Sequence, residues 1–214
     1  MEFIEVYSMR RSGHHACIGW MKMNFDHAYG KEKCHYINDI MNNFSVKNEL
    51  LDQKLNELIA TDPKVIIVSY EDVNFNVSRI DDKYPTTKVV VLRDIHNLSA
   101  SRYKANQGVG MRINELFVER WLSQANHNNI LKYEDFLLSK ENRDAFMGQF
   151  GVENIDITND VKYCSNIGSS FVGRQLDTIE NYLNRHKMVD LPQELIEYIS
   201  VPQVQEIRKR LGYI

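Results

Sequence analysis

Three short stretches of this sequence hold side chains of the types that bind anions or move protons. The first is Ser8-Met9-Arg10-Arg11-Ser12-Gly13-His14-His15. It follows an alternating apolar–polar run over residues 3–8 and precedes a segment of helical spacing, so it reads as a strand-to-helix loop. In such a loop, backbone N–H groups and the helix start together face an anion. Set against the Walker pattern G-x-x-x-x-G-K-[ST], Gly13 takes the second glycine, Ser8 the first, His14 the lysine and His15 the Mg²⁺-binding hydroxyl residue. Both residues that handle ATP–Mg²⁺ are missing. The positive charge lies earlier, on Arg10 and Arg11, which suits an anion whose transferable group carries less charge and needs no metal. The same Arg-Arg-Ser-Gly would equally make a plain surface turn, and that alternative stays open at this level.

The second stretch, Lys88-Val-Val-Val-Leu-Arg93-Asp94, places an arginine at the mouth of an apolar strand, with Ser101 eight residues on. A guanidinium fork and a hydroxyl together grip a phosphate; the plainer alternative pairs Arg93 with Asp94. The third is Glu71, closing the apolar run 64–70. It is the best-placed candidate for a general base, and its alternative is an exposed loop carboxylate. His14 is the second candidate: the helix dipole keeps a histidine neutral at an N-terminus, although the ring would also serve as a donor to phosphate. His96 is expected to face solvent and Asp72 to be structural. A metal centre built from His14, His15, Cys17 and His35 is not expected, because neighbouring histidines on a helix diverge and no zinc-type spacing is present.

The elements that must position these groups alternate along the chain. A helix is expected from residue 14 to about 24, then a mixed aromatic segment to 45 that would cover a site. Leu51, Leu55, Leu58 and Ile59 repeat at helical spacing and predict a helix over 46–60. Buried strands are expected at 64–70 and 88–92, and a shorter strand at 129–133. Helices follow to about 104, over 111–125, around Leu176, Ile179 and Leu183, and after Pro192 and Pro202, proline being tolerated in a first turn. Apolar strands alternating with helices argue for a parallel sheet covered on both faces. Ligands in such sheets gather at the carboxyl ends of the strands. Four strand ends therefore matter: residues 8–15, 69–72, 93–101 and 133–135.

Composition narrows the function classes. The chain has 214 residues, 26 Lys+Arg against 29 Asp+Glu and a net charge of −3. A nucleic-acid footprint needs a basic excess, so no nucleic-acid partner is expected, and any anion must be held by a local cluster of donors. Cys17, Cys34 and Cys164 are too scattered for a disulfide framework. No signal-like or membrane-spanning apolar run is present. The expectation is one domain over residues 1–214 in a reducing, cytoplasmic setting.

In order and spacing these stretches resemble the sulfotransferases that use 3′-phosphoadenosine-5′-phosphosulfate (PAPS). The P-K-S-G-T-T-like loop of that family corresponds to Arg10-Arg11-Ser12-Gly13-His14-His15, with Trp20 a few residues into the helix. Its R-D-P-x-x-x-x-x-S-x-Y segment corresponds to Arg93-Asp94-Ile95 and Ser101-Arg102-Tyr103, its Tyr-Glu-Asp strand end to Tyr133-Glu134-Asp135, and its late S-F…R segment to Ser169-Ser170-Phe171-Val-Gly-Arg174. Arg11 stands for the usual lysine, His14-His15 for Thr-Thr and Ile95 for proline.

The resemblance implies a three-layer, P-loop-like α/β fold with a central, mostly parallel sheet flanked by helices. It implies PAPS as sulfuryl donor, held by Arg10, Arg11, Ser12, Gly13, His14, His15, Arg93, Ser101, Tyr133 and Arg174. Catalytic roles then fall to Arg11, which stabilises the leaving phosphate oxygen, and to Glu71 or His14 as base. No metal is expected. The acceptor would be a hydroxyl or amine of a small molecule, carbohydrate or peptide. The rivals are a P-loop kinase-like phosphotransferase and a non-catalytic nucleotide-binding protein of the same fold.

Overall fold

The structure is a computed structural model that describes residues 1–38, 48–73, 78, 80, 84–105, 113–155, 180 and 183–214. Five strands, β1 (Glu2–Ser8), β2 (Cys34–Ile37), β3 (Val65–Glu71), β4 (Thr86–Leu92) and β5 (Ile130–Lys132), form one sheet in the order β2-β3-β1-β4-β5. Every pairing is parallel. The helices are α1 (His14–Tyr29), α2 (Asn48–Ile59), α3 (Ile95–Lys104), α4 (Glu115–Ala125), α5 (Tyr133–Leu138), α6 (Lys140–Gly148), α7 (Gln193–Ile199) and α8 (Pro202–Arg210), with a 3₁₀ turn at Arg185–Lys187. The protein is thus α/β, a central parallel sheet flanked by helices.

The apolar strands are explained by cover on both faces. Side chains alternate across a strand, so Ile66, Val68 and Tyr70 join Phe3, Tyr7, Val90, Leu92 and Trp121 on one face. Val65 and Ile67 join Ile4, Val6, Val89, Val91, Ile18, Trp20 and Phe136 on the other. All seven residues of β3 are buried. Among the described residues, no helix is long and apolar enough to cross a membrane.

Central β1 is flanked by β3 on one side and β4 on the other, and the chain leaves it in one direction and later returns in the other. That is the switch point at which ligands sit in open parallel sheets. The register pairs Ser8 with Glu71 and with Val91. The loop after β1 therefore opens beside Glu71 and Arg93, which are far apart in sequence.

Several expectations change in detail. The segment 23–45 is not a single irregular stretch. Helix α1 continues to Tyr29, because Phe25 extends its buried face and Lys22 pairs with Asp26 one turn on; Gly30, at φ 96°, ends it. Strand β2 then adds a fifth strand end. Among the described residues it is a four-residue edge strand paired with β3, too short to show an alternation. Tyr133 is the first residue of α5 rather than the end of a strand, and Glu134 and Asp135 occupy the favoured acidic first turn. Helix α4 begins at Glu115, where Asn114 accepts from the Phe117 N–H. The helix expected around Leu176 and Ile179 lies outside the described residues.

Candidate functional site

The loop between β1 and α1 has an uncommon backbone. Arg11 and Gly13 both lie at positive φ, 75° and 88°, and Ser12 N–H closes a turn on the Met9 carbonyl. Gly13 immediately precedes the first turn of α1, which carries no acidic side chain. A Cβ on Gly13 would stand 2.2–2.6 Å from ring atoms of Tyr133. Only glycine satisfies both the left-handed backbone and that contact. A non-glycine residue at Arg11 costs about 1–2 kcal/mol there, and neighbouring groups hold it. Arg93 Nη1 donates to the Arg11 carbonyl at 3.1 Å. Asp72 accepts from the Arg10 N–H and pairs with buried Arg102, whose Nε donates to the Arg10 carbonyl. Asp72 thus braces the backbone of the loop.

Glu71 ends β3 beneath this loop and is only 8% exposed, so it is not a loop carboxylate in solvent. Its Oε1 lies 2.9 Å from His14 Nε2 and 3.4 Å from His15 Nε2. Its Oε2 accepts from Arg10 Nε at 3.1 Å. Burial alone would raise the Glu71 carboxyl, but hydrogen bonds and charge from His14 and His15 prevail and hold it well below the usual carboxylate range. Glu71 is therefore an ionised anchor. The expectation that the two histidines diverge is overturned: both rings turn their Nε2 atoms toward one oxygen, with centroids 4.0 Å apart. They converge because His14 is buried below the loop while His15 lies against Tyr36 of β2.

A second cationic region lies beyond β4. Arg93 is 2% exposed, and its guanidinium sits over the Tyr133 ring, 5.2 Å from the centroid. It does not take Asp94 as its ion-pair partner. Asp94 caps α3 and holds Arg208 of α8 by two bonds of 2.8 and 3.1 Å. Ser101 is buried on α3, and Arg185 Nη1 donates toward its hydroxyl at 3.4 Å. Asn97 secures that contact: its amide donates to the Leu183 carbonyl, and its oxygen accepts from the His186 N–H. His96 is half-buried beside His186 rather than facing solvent. Burial comes first in lowering its pKa, followed by Arg208.

Among solved structures, the chain is similar to mouse sulfotransferase SULT7A1 complexed with PAP. The two are 13% identical over 98% of this chain and 83% of that one, with a TM-score of 0.45. It is also similar to retinol dehydratase in complex with androsterone and inactive cofactor PAP, 10% identical over 98% of this chain and 79% of that one, with a TM-score of 0.33. No family model and no curated protein matches the chain.

Most sequence candidates fall into these two adjoining regions. Arg10, Arg11, Ser12, Gly13, His14, His15 and Glu71 form the first, and Arg93 and Tyr133 border both. Ser101 belongs to the second. Arg174, with Ser169, Ser170 and Phe171, lies outside the described residues. Arg185 is the residue that sequence reasoning missed. Its only signal is the basic triplet Arg185-His186-Lys187 after a helical pattern, and nothing in that triplet names Ser101 as its neighbour.

Proposed function

We propose that this protein is a PAPS-dependent sulfotransferase that transfers a sulfuryl group to a hydroxyl or amine of a small molecule, carbohydrate or peptide. The observation that carries the reading is Arg93. It is a buried guanidinium at a strand mouth that bonds the loop carbonyl of Arg11 and covers Tyr133, so one residue ties the 5′ and 3′ ends of a would-be bisphosphate site. The donor set fits such a nucleotide. Loop N–H groups around Gly13, with Arg11, suit the 5′-phosphosulfate. Arg93, Ser101 and Arg185 suit the 3′-phosphate, and Tyr133 the adenine. We give Arg185 the late-arginine role that the sequence suggests for Arg174.

In the reaction, the bond from sulfur to the 5′-phosphate oxygen breaks and a bond from sulfur to the acceptor oxygen or nitrogen forms. As in phosphoryl transfer, the protein's work is alignment and charge stabilisation. Burial lowers the pKa of Arg11, and the Glu71 charge opposes that shift; it stays a cation beside the leaving oxygen. The acceptor's proton leaves toward the cluster of Glu71, His14 and His15. The buried thiols Cys17 and Cys34 support a reducing, cytoplasmic setting.

The test is thermal stabilisation by adenosine-3′,5′-bisphosphate, compared with ATP with and without Mg²⁺. A ligand at a hundred times its dissociation constant adds about 2.7 kcal/mol. Metal-independent stabilisation that is lost in Arg93→Ala and in Arg185→Ala supports the reading. Stabilisation by ATP–Mg²⁺ alone would replace it with a kinase-like phosphotransferase. Binding of the bisphosphate without sulfuryl transfer to any acceptor in a panel would leave a nucleotide-binding protein.

A further inference from the structure

The cluster under the loop is more organised than a base and its orienting partner require. His14 Nε2, His15 Nε2 and Glu71 Oε1 all lie within 4.8 Å of one another. Zinc binds histidine nitrogen and carboxylate oxygen at about 2.0–2.2 Å, so tetrahedral donors stand about 3.3 Å apart. The two nitrogen-to-oxygen separations, 2.9 and 3.4 Å, bracket that edge.

Each candidate donor is also held from behind. His14 Nδ1 lies 3.5 Å from the Ser12 hydroxyl. His15 Nδ1 lies 3.4 Å from the Tyr36 hydroxyl. The second oxygen of Glu71 accepts from Arg10. Outer partners of this kind fix ring orientation and tautomer in metal sites. The Tyr36 hydroxyl behind His15 is itself held, 2.9 Å from Asn38 Oδ1 and 3.0 Å from Ser69 Oγ. His15 has a side-chain exposure of 31% against 3% for His14, which gives a cation a way in.

We propose that His14, His15 and Glu71 form a site for one zinc-class divalent cation, bound through the two Nε2 atoms and Glu71 Oε1 with a fourth position open. Two histidines and a glutamate with an open position are a donor set that catalytic zinc sites use. The open position takes water or an oxygen ligand. The site uses the same three side chains that the sulfotransferase reading offers to the acceptor's proton, so a bound cation would replace that role; none of the three is among the groups assigned to the 3′-phosphate or the adenine.

The experiment is titration of the chelator-treated full chain with Zn²⁺ by calorimetry and with Co²⁺ by visible absorption. Wild type is compared with His15→Asn, Glu71→Gln and Tyr36→Phe. The expected result is one equivalent bound with tetrahedral Co²⁺ bands, and binding at least 100-fold weaker in His15→Asn and Glu71→Gln. Tyr36→Phe, which loses only the outer hydroxyl, should weaken it about 10-fold and covers the case in which a ligand variant fails to fold. Three results overturn the proposal: no equivalent bound by wild type, equal affinity in all variants, or Co²⁺ bands of thiolate character from Cys17 or Cys34. Stabilisation by adenosine-3′,5′-bisphosphate in metal-free buffer is measured on the same samples, so the metal site and the nucleotide site can each fail alone.

Discussion

Gly13→Ala probes the geometry of the loop most directly. The added Cβ would meet Tyr133 Cε2 at 2.2 Å and sit on a backbone at φ 88°. The left-handed backbone costs about 1–2 kcal/mol for a residue with a Cβ. Overpacking against a buried ring adds about 1–3 kcal/mol. The expected loss is therefore about 2–5 kcal/mol, a large share of the roughly 5–15 kcal/mol that stabilises a domain. Urea unfolding reads it as a lower midpoint at unchanged slope. Tyr133→Ala separates the two parts. In that background the steric part vanishes, and Gly13→Ala should cost only about 1–2 kcal/mol relative to Tyr133→Ala alone. A loss below about 0.5 kcal/mol in the single variant, within the range of ordinary surface changes, would refute the strained-loop argument. An equal cost with and without the Tyr133 ring would show that the ring does not lie on Gly13.

Other expectations follow from the same contacts. Arg208→Met should destabilise by about 3–5 kcal/mol, because it leaves the Asp94 carboxylate buried without its bidentate partner; chemical denaturation checks it, and a loss under about 1 kcal/mol would contradict the pairing. Asn97→Ala should weaken adenosine-3′,5′-bisphosphate binding without touching the ligand, by releasing Leu183 and His186 and with them Arg185, as calorimetry would read; unchanged affinity would remove Asn97 as a positioning residue. Burial holds both His96 and His186 below the ordinary imidazole pKa; Asp94 opposes this, while Arg208 and, at His186, Lys187 reinforce it. The unfolded chain then takes up protons first, so stability is full above about pH 6.5 and declines as pH falls below it. Unfolding at pH 7.5 and 5.5 should show that decline, reduced in His96→Asn; a profile that is flat, or the same in the variant, would contradict it.

The strand-to-helix loop was legible because its determinants are local. A glycine at the start of a helix after an alternating run, with arginines ahead of it, is a pattern within eight residues. The buried strands were legible for a similar reason: β3 and β4 are apolar because helices cover both faces of the sheet, and that burial is written into composition. The edge strand β2 was not, since four residues of which only the first and last are buried carry no period. The end of α1 was missed because its continuation depends on Phe25 finding the core.

What only the tertiary structure decided are the partnerships. Parallel pairing sets Ser8 level with Glu71, which converts two adjacent histidines and a distant carboxylate into one cluster. Helical spacing alone predicts that His14 and His15 part; the shared oxygen of Glu71 draws them together. Asp94 follows Arg93 in sequence yet is claimed by Arg208 from the C-terminal helix, leaving Arg93 to span the loop and Tyr133. Arg185 reaches Ser101 across 84 positions because Asn97 holds its turn. Residue types and spacing determine which chemistry is possible in this chain. Which groups meet is decided by sheet order and burial, because contacts across the sheet end join residues with no spacing rule to connect them.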